Sequence, residues 1–273
     1  MYIPGKHPTL DPKAYVMMKY FAGIFLLLFA TIFLTGCREG RNHENTLRIA
    51  IASNLQYAVD SVVAGFEKEH EIICEVIPGS SGKLFAQIRE GAPYDLFLSA
   101  DMDYPEALFK EGRTIQKPEV FAYGALVLWT GRQNLKPSIE ILASDSVRYI
   151  ALANPRIAPF GRAAQETLVY YGMEEKVRDK MVYGESVAQA NQFIQSGSAE
   201  VGFTSLSIVM SPAQRENGKW ILIDTAAYQP LPHGAVLLQT GKPVKPAARQ
   251  FYEYLFSGKG KEVLKNFGYS VHE

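Results

Sequence analysis

Short apolar strands and amphipathic helices alternate along this chain from Leu47 onward, and that alternation restricts the fold more than any other feature. In "LRIAIAS", Leu47, Ile49 and Ile51 share one face while Arg48, Ala50 and Ala52 take the other. One fully apolar face and one of small residues suit a strand covered on both sides. Leu55, Val59, Val62, Val63 and Phe66 then recur with the period of a helix packed on a core. Ile72 to Ile77 reads as a second strand, Leu84 and Ile88 mark a second helix, and "YDLFLSA" is a third strand. "YPEALFKEG" is a short helix closed by Gly112. This order predicts a mostly parallel sheet with helices on both faces.

"FAYGALVLWTG", Phe121 to Gly131, reads as one long strand. A second alternating unit follows: strand "VRYIALANP", a helix from Gly161 to about Tyr171, strand "KMVYG", a helix from Ser186 to about Gln195, and strand "VGFTS". "GKWILID" is one more strand. Turn residues "QPLPHG" precede the strand "AVLLQT", and two helices end the chain. Two α/β units joined by long strands predict two lobes with a cleft between them. The expected division is 47–125 for the first lobe, 126–233 for the second and 234–273 for the return to the first. Hinges are expected near Gly124–Leu128 and Gly234–Leu238.

The N-terminal segment reads differently. Lys13 and Lys19 flank an apolar run from Tyr20 to Phe33, shorter than the roughly 20 residues of a comfortable membrane span. Basic flank, apolar middle and small residues before a break are the marks of a secretory signal. The break, "LTGC" at 34–37, resembles the lipobox of bacterial lipoproteins. The expectation is a lipoprotein-type signal over 1–36, a lipid anchor on Cys37, a polar tether over 37–46, and a periplasmic or extracytoplasmic location. Cys74 then has no partner and is expected to be a buried, inert thiol. Two cysteines, Cys37 and Cys74, give no disulfide, zinc or haem pattern.

Lys plus Arg number 28 and Asp plus Glu number 28, so no net field concentrates a polyanion, and nucleic acid is not an expected partner. In doubly wound sheets, ligands sit off the C-terminal ends of the strands. Here those junctions read "ASNL" at 52–55, "GSSGKL" at 79–84, "PFGRA" at 159–163, "GESVAQ" at 184–189 and "TSLS" at 204–207. They carry small hydroxyl and amide side chains. Taken singly, each is an ordinary helix cap. Taken together, several helix starts with unpaired N–H groups make a cradle for a small oxyanion. The spacing from Gly79 to Gly82 is too short for a phosphate-binding P-loop, and Leu84 follows Lys83 where Ser or Thr is needed. Lys83 is expected on the solvated side of its helix, and Arg162, in a first helical turn, on the surface, the alternative for it being electrostatic help to an anion; Asp101 and Asp103 are expected to cap a helix. None of His7, His43, His70, His233 and His272 is spaced for a metal or joined to a nucleophile elbow. The sequence therefore predicts a binding protein and no enzyme.

The same stretches carry a family resemblance. "ASN", "GSSGKLFAQIREGAPYDLFLSAD", "LANPRIAPFGRAAQETL", "GESVAQANQFIQSGSAEVGF" and "AVLLQTG" together resemble the molybdate-binding proteins of bacterial ABC importers. The resemblance implies a two-lobed α/β periplasmic binding protein (type II) fold, each lobe a mostly parallel sheet flanked by helices, with the ligand cleft between lobes. It implies a monomer that captures molybdate or tungstate, as an oxyanion with no direct metal-ion ligands, and hands it to an ABC permease and its ATPase. No cofactor is implied. By position it places the oxyanion at Ser53, Asn54, Ser81 and the backbone N–H groups of Phe160 and Val187, with Ser80 beside them. Some members add a tyrosine hydroxyl after the "GF" strand. Ser205 stands there in this chain, which looks more like the branch that uses the first-loop Asn. The rivals are a protein for another tetrahedral oxyanion such as sulfate, and a sensory domain that reports the anion to a separate partner.

Overall fold

The structure, a computed structural model, describes residues 46–241 and 243–271. The expected signal, the lipid-bearing Cys37 and nearly all of the tether lie outside the described residues. Thr46, expected in the tether, is already the first residue of a strand.

Five strands form the first sheet: β1 (Thr46–Ala52), β2 (Ile73–Gly79), β3 (Leu96–Leu98), β4 (Glu119–Gly124) and β10 (Leu231–Leu237), in the order β2-β1-β3-β10-β4. The second sheet contains β5 (Leu126–Thr130), β6 (Ile150–Ala153), β7 (Met181–Gly184), β8 (Val201–Ser205) and β9 (Lys219–Leu222), in the order β7-β6-β8-β5-β9. In each sheet one strand is antiparallel to both its neighbours, β10 in the first and β5 in the second. The other strands of each sheet share one direction, so the sheets are mostly parallel by direction, as the alternation predicts.

The reversed strands are the ones that carry the chain between sheets. The run Phe121–Gly131 is two strands: β4 ends at Gly124 in the first sheet and β5 begins at Leu126 in the second. Hydrophobicity alone cannot mark such a break, because the residues on both sides of it are apolar. The return crossing lies between Leu222 and Leu231, upstream of the expected Gly234–Leu238, which falls inside β10 and the residue after it. Leu231 pairs with Gly124 and His233 with Ala122. The "LPHG" residues therefore belong to the strand and not to a turn, and the first sheet regains the chain three residues before the expected boundary. Pro232 is tolerated because this half of β10 pairs with β4 alone, and a register shift follows between His233 and Gly234.

Helices α1 (Gln56–Glu69), α2 (Ser81–Arg89) and α3 (Asp103–Lys110) follow β1, β2 and β3. Helix α4 (Pro159–Tyr170) and the single turn α5 (Glu174–Val177) lie between β6 and β7, and α6 (Val187–Gln195) and the single turn α7 (Leu206–Val209) follow β7 and β8. Helices α8 (Pro246–Phe256) and α9 (Gly258–Asn266) close the first lobe. Phe66 of α1 meets Phe251 of α8 edge to face at 5.2 Å, which joins the start and the end of that lobe. Cys74 is half-buried, and burial pushes its thiol up to about 12, so it stays protonated and inert at neutral pH.

Candidate oxyanion site between the sheets

Strands β1, β2, β3, β6 and β7 deliver their C-terminal ends to the same place. A small cavity, about 10 Å³, is lined by Ala52, Ser53 and Asn54 after β1, Gly79 to Ser81 at the end of β2, and Ala100 after β3. From the other sheet come Ala158 to Phe160 at the start of α4 and Val187 at the start of α6. No lining residue is charged. A larger groove, about 1070 Å³, opens beside α4 between Arg156, Tyr170, Tyr183 and Tyr228, and shares no residue with the cavity.

The donors can be counted. The Ser53 hydroxyl accepts from the Ala188 N–H at 3.3 Å, and the Ser81 hydroxyl accepts from the Ala100 N–H at 3.0 Å. Each keeps its own proton to give. The Ser80 hydroxyl is buried with no protein partner. An unpaired buried hydroxyl is costly, and this one borders the cavity. Phe160 and Val187 stand in the first turns of α4 and α6, where the helix leaves backbone N–H groups unpaired. Pro159 opens α4 without needing an N–H of its own. Gly161 lets that helix start press on the end of β6, since a Cβ there would lie 2.3 Å from the Ala153 carbonyl oxygen.

Asn54 behaves otherwise than expected. Its side-chain Nδ2 donates to His233 Nε2 at 2.7 Å and to the Tyr269 hydroxyl at 2.9 Å. Both amide hydrogens are spent, so the side chain has none left for a ligand and only its backbone can donate. The Asn54 carbonyl accepts from the Ser207 hydroxyl at 2.8 Å. Ser205 lies outside the cavity lining and its Oγ is 2.9 Å from Ser207 Oγ. It supports the lobe junction.

Charged residues ring the cavity from outside. Arg162 of α4 pairs with Asp101, which is 8% exposed at its side chain, and reaches Asp103 at 3.4 Å. Lys83 of α2 pairs with Glu185 at 2.7 Å. Both links cross between lobes, so Arg162 and Lys83 are bridges and not simply solvated charges. Burial raises the Asp101 pKa despite the Arg162 guanidinium and the Ser99 hydroxyl against it. The Asp101 carboxylate also takes the Tyr104 N–H at 3.4 Å, so the expected cap is present as a minor contact beside the ion pair. The Gly82 N–H donates across the cleft to the Ile157 carbonyl at 2.8 Å.

The spacing of His233 suggests neither a metal ligand nor a nucleophile partner, and nothing in the sequence marks Tyr269. The available signal was a histidine in an apolar strand with no charge near it in sequence. Its Nδ1 donates to the Leu231 carbonyl at 2.9 Å, which leaves Nε2 as the acceptor for Asn54 and fixes the neutral tautomer. Burial lowers its pKa to about 4. Among the described residues, no cluster of His, Cys, Asp and Glu fits a metal ion.

The chain matches the bacterial extracellular solute-binding protein family over residues 47–270. It is 35% identical to the molybdate-binding protein ModA of Azotobacter vinelandii over 229 residues, 82% of this chain and 90% of that one. It is 28% identical to the putative ABC transporter substrate-binding lipoprotein YvgL of Bacillus subtilis, over 93% of this chain and all of that one. The solved periplasmic molybdate-binding protein of A. vinelandii superposes with a TM-score of 0.79 at 30% identity, covering 83% of this chain and 100% of its own.

Because the His233 pKa in the folded state, about 4, lies below its unfolded value of 6.5, its contribution to stability is complete above pH 6.5 and is lost as pH falls toward 4. The unfolding free energy should drop by roughly 1 kcal/mol per pH unit across that window, and His233→Gln should flatten the slope. Denaturant titrations at several pH values read both.

Proposed function

The chain belongs to the bacterial extracellular solute-binding protein family, and on that premise we propose that it is the molybdate-capturing component of an ABC importer. The observation that supports this most is the meeting of three serine hydroxyls and two first-turn N–H groups on one cavity with no charged residue in its wall. A site made of donors alone suits a fully deprotonated tetrahedral dianion. Molybdate, tungstate and sulfate have that form at neutral pH. Monohydrogen phosphate carries an O–H that needs an acceptor, and leaving it unpaired costs roughly 1–3 kcal/mol. Asp101, the carboxylate next in sequence to the lining residue Ala100, is committed to Arg162 and Ser99. In this reading Ser53, Ser80 and Ser81 donate their hydroxyl protons and Phe160, Val187 and Asn54 their backbone N–H groups. Tungstate is a second cargo, and the bound form passes to a permease and its ATPase. Sulfate has the same charge and shape with a smaller radius, so cavity size separates it from molybdate.

The carrier is proposed to work outside the cytoplasm as a monomer, held to the membrane by lipid on Cys37. Support comes from the "LTGC" stretch and from the likeness to a putative lipoprotein over 93% of the chain.

Calorimetric titration with molybdate, sulfate and phosphate tests the cargo. One-to-one binding of molybdate, weaker binding of sulfate and none of phosphate is expected. Ser81→Ala should weaken molybdate binding by about 1–3 kcal/mol, the scale of a hydrogen bond to a charged group; unchanged affinity would remove Ser81 from the site. Gly82→Ala should also weaken binding, because its Cβ would lie 2.9 Å from the Ile157 carbonyl oxygen across the cleft. Cys37→Ala should move the protein from the membrane fraction to the soluble extract, and retention on membranes would argue against the lipid anchor.

A further inference from the structure

One buried group outside the cavity wall touches residues of both halves of the site. The His233 side chain is fully buried at the start of β10, directly after the return crossing. Its Nε2 accepts from Asn54 Nδ2 on the first-lobe loop. Its ring lies 6.0 Å from the ring of Phe160, the first-turn residue of α4 in the second lobe. It also packs edge-on against Phe121 of β4 at 6.1 Å and Tyr269 at 5.3 Å. Gly124, the last residue of β4 before the outward crossing, has no room for a side chain: a Cβ there would lie 2.6 Å from His233 Cε1 and 3.0 Å from Phe160 Cζ. One imidazole thus stands beside both crossings and between two of the loops that wall the cavity.

We propose that His233 is a positioning residue for the oxyanion, holding the Asn54 backbone at the cavity through its Nε2 lone pair while its ring seats Phe160 at the hinge. This rests on the oxyanion-binding reading above and adds a residue that does not line the cavity. The direction of each hydrogen bond follows from the chain of partners. Nδ1–H is fixed by the Leu231 carbonyl, so Nε2 can only accept, and Asn54 must present its amide hydrogens and not its oxygen. The Tyr269 hydroxyl takes the second amide hydrogen, and its own proton goes to Ser207 Oγ at 2.9 Å or the Asn54 carbonyl at 3.0 Å. Ser207 belongs to the second sheet's lobe, so the clamp on Asn54 is complete only with the lobes together. No charged side chain is among these partners; they are the Leu231 carbonyl, Asn54, Phe121, Phe160 and Tyr269. The lone pair, and not a charge, therefore supplies the restraint.

The test compares molybdate affinity in wild-type, His233→Phe and His233→Gln. The Phe variant keeps a ring against Phe121 and Phe160 and loses the acceptor. The Gln variant loses the ring and offers a carbonyl oxygen to Asn54. Positioning through the lone pair predicts about a tenfold loss of affinity or more in His233→Phe and substantial recovery in His233→Gln. A packing role predicts the reverse order, and that order, or equal affinity in all three, would overturn the proposal. Should the His233 variants fail to fold by circular dichroism, Tyr269→Phe removes only the hydroxyl that takes the other Asn54 hydrogen. It should weaken binding likewise, and wild-type affinity there would count against the clamp. Wild-type protein that binds none of molybdate, sulfate and phosphate would sink the oxyanion reading and this proposal together. Wild-type binding with an indifferent His233→Phe sinks the proposal alone.

Discussion

Helix starts that cannot satisfy their own N–H groups converge on one point, and the rest of the molecule is arranged to make them converge. Strands β1, β2, β3, β6 and β7 end beside it, and helices α2, α4 and α6 open on it. The first-turn N–H groups carry partial positive charge, and burying them without acceptors is unfavourable. A tetrahedral dianion offers acceptors in several directions at once, which a water molecule or a single carboxylate cannot do. The absence of lysine or arginine from the wall follows from the same logic. Dipoles fixed by the backbone need no flexible charged side chain, and they cannot be neutralised by a change of rotamer.

Charge is used one shell further out. Lys83 lies two residues beyond Ser81, Glu185 two before Val187, and Arg162 two beyond Phe160. The two interlobe pairs have opposite polarity: the cation comes from the first lobe in Lys83–Glu185 and from the second in Arg162–Asp101. The exposed Lys83–Glu185 pair contributes little by itself. Arg162–Asp101 is the more buried of the two, so separating it would leave the Asp101 carboxylate without its counter-charge. Together they favour one alignment of the lobes and leave the cavity wall neutral.

The alternation of strands and helices was legible because it is local: apolar periodicity in "LRIAIAS" or in the helix through Phe66 depends on neighbours within a few residues. The junction residues were legible for the same reason, and the structure brings Ser53, Asn54, Ser80, Ser81, Phe160 and Val187 to one cavity. The break between β4 and β5 was not legible, since Ala125 joins two strands that are each apolar. Nor were the partners of Arg162 and Lys83, which are 61 and 102 residues away in sequence. The Asn54–His233–Tyr269 clamp joins residues up to 215 apart. No periodicity encodes such a contact, and a side chain spent on it looks, in sequence, the same as one free to bind.

A crystal structure with tungstate, located by its anomalous scattering, tests the donor-only cradle most directly. The account predicts one tungsten site between the two sheets. Its oxygens should accept hydrogen bonds from Ser53, Ser80, Ser81 and the N–H groups of Phe160 and Val187, with no lysine, arginine or metal ion in contact. A tungsten site in the groove beside Tyr170 and Tyr183, or one held by Arg162 or Lys83 after their carboxylate partners have let go, would contradict it.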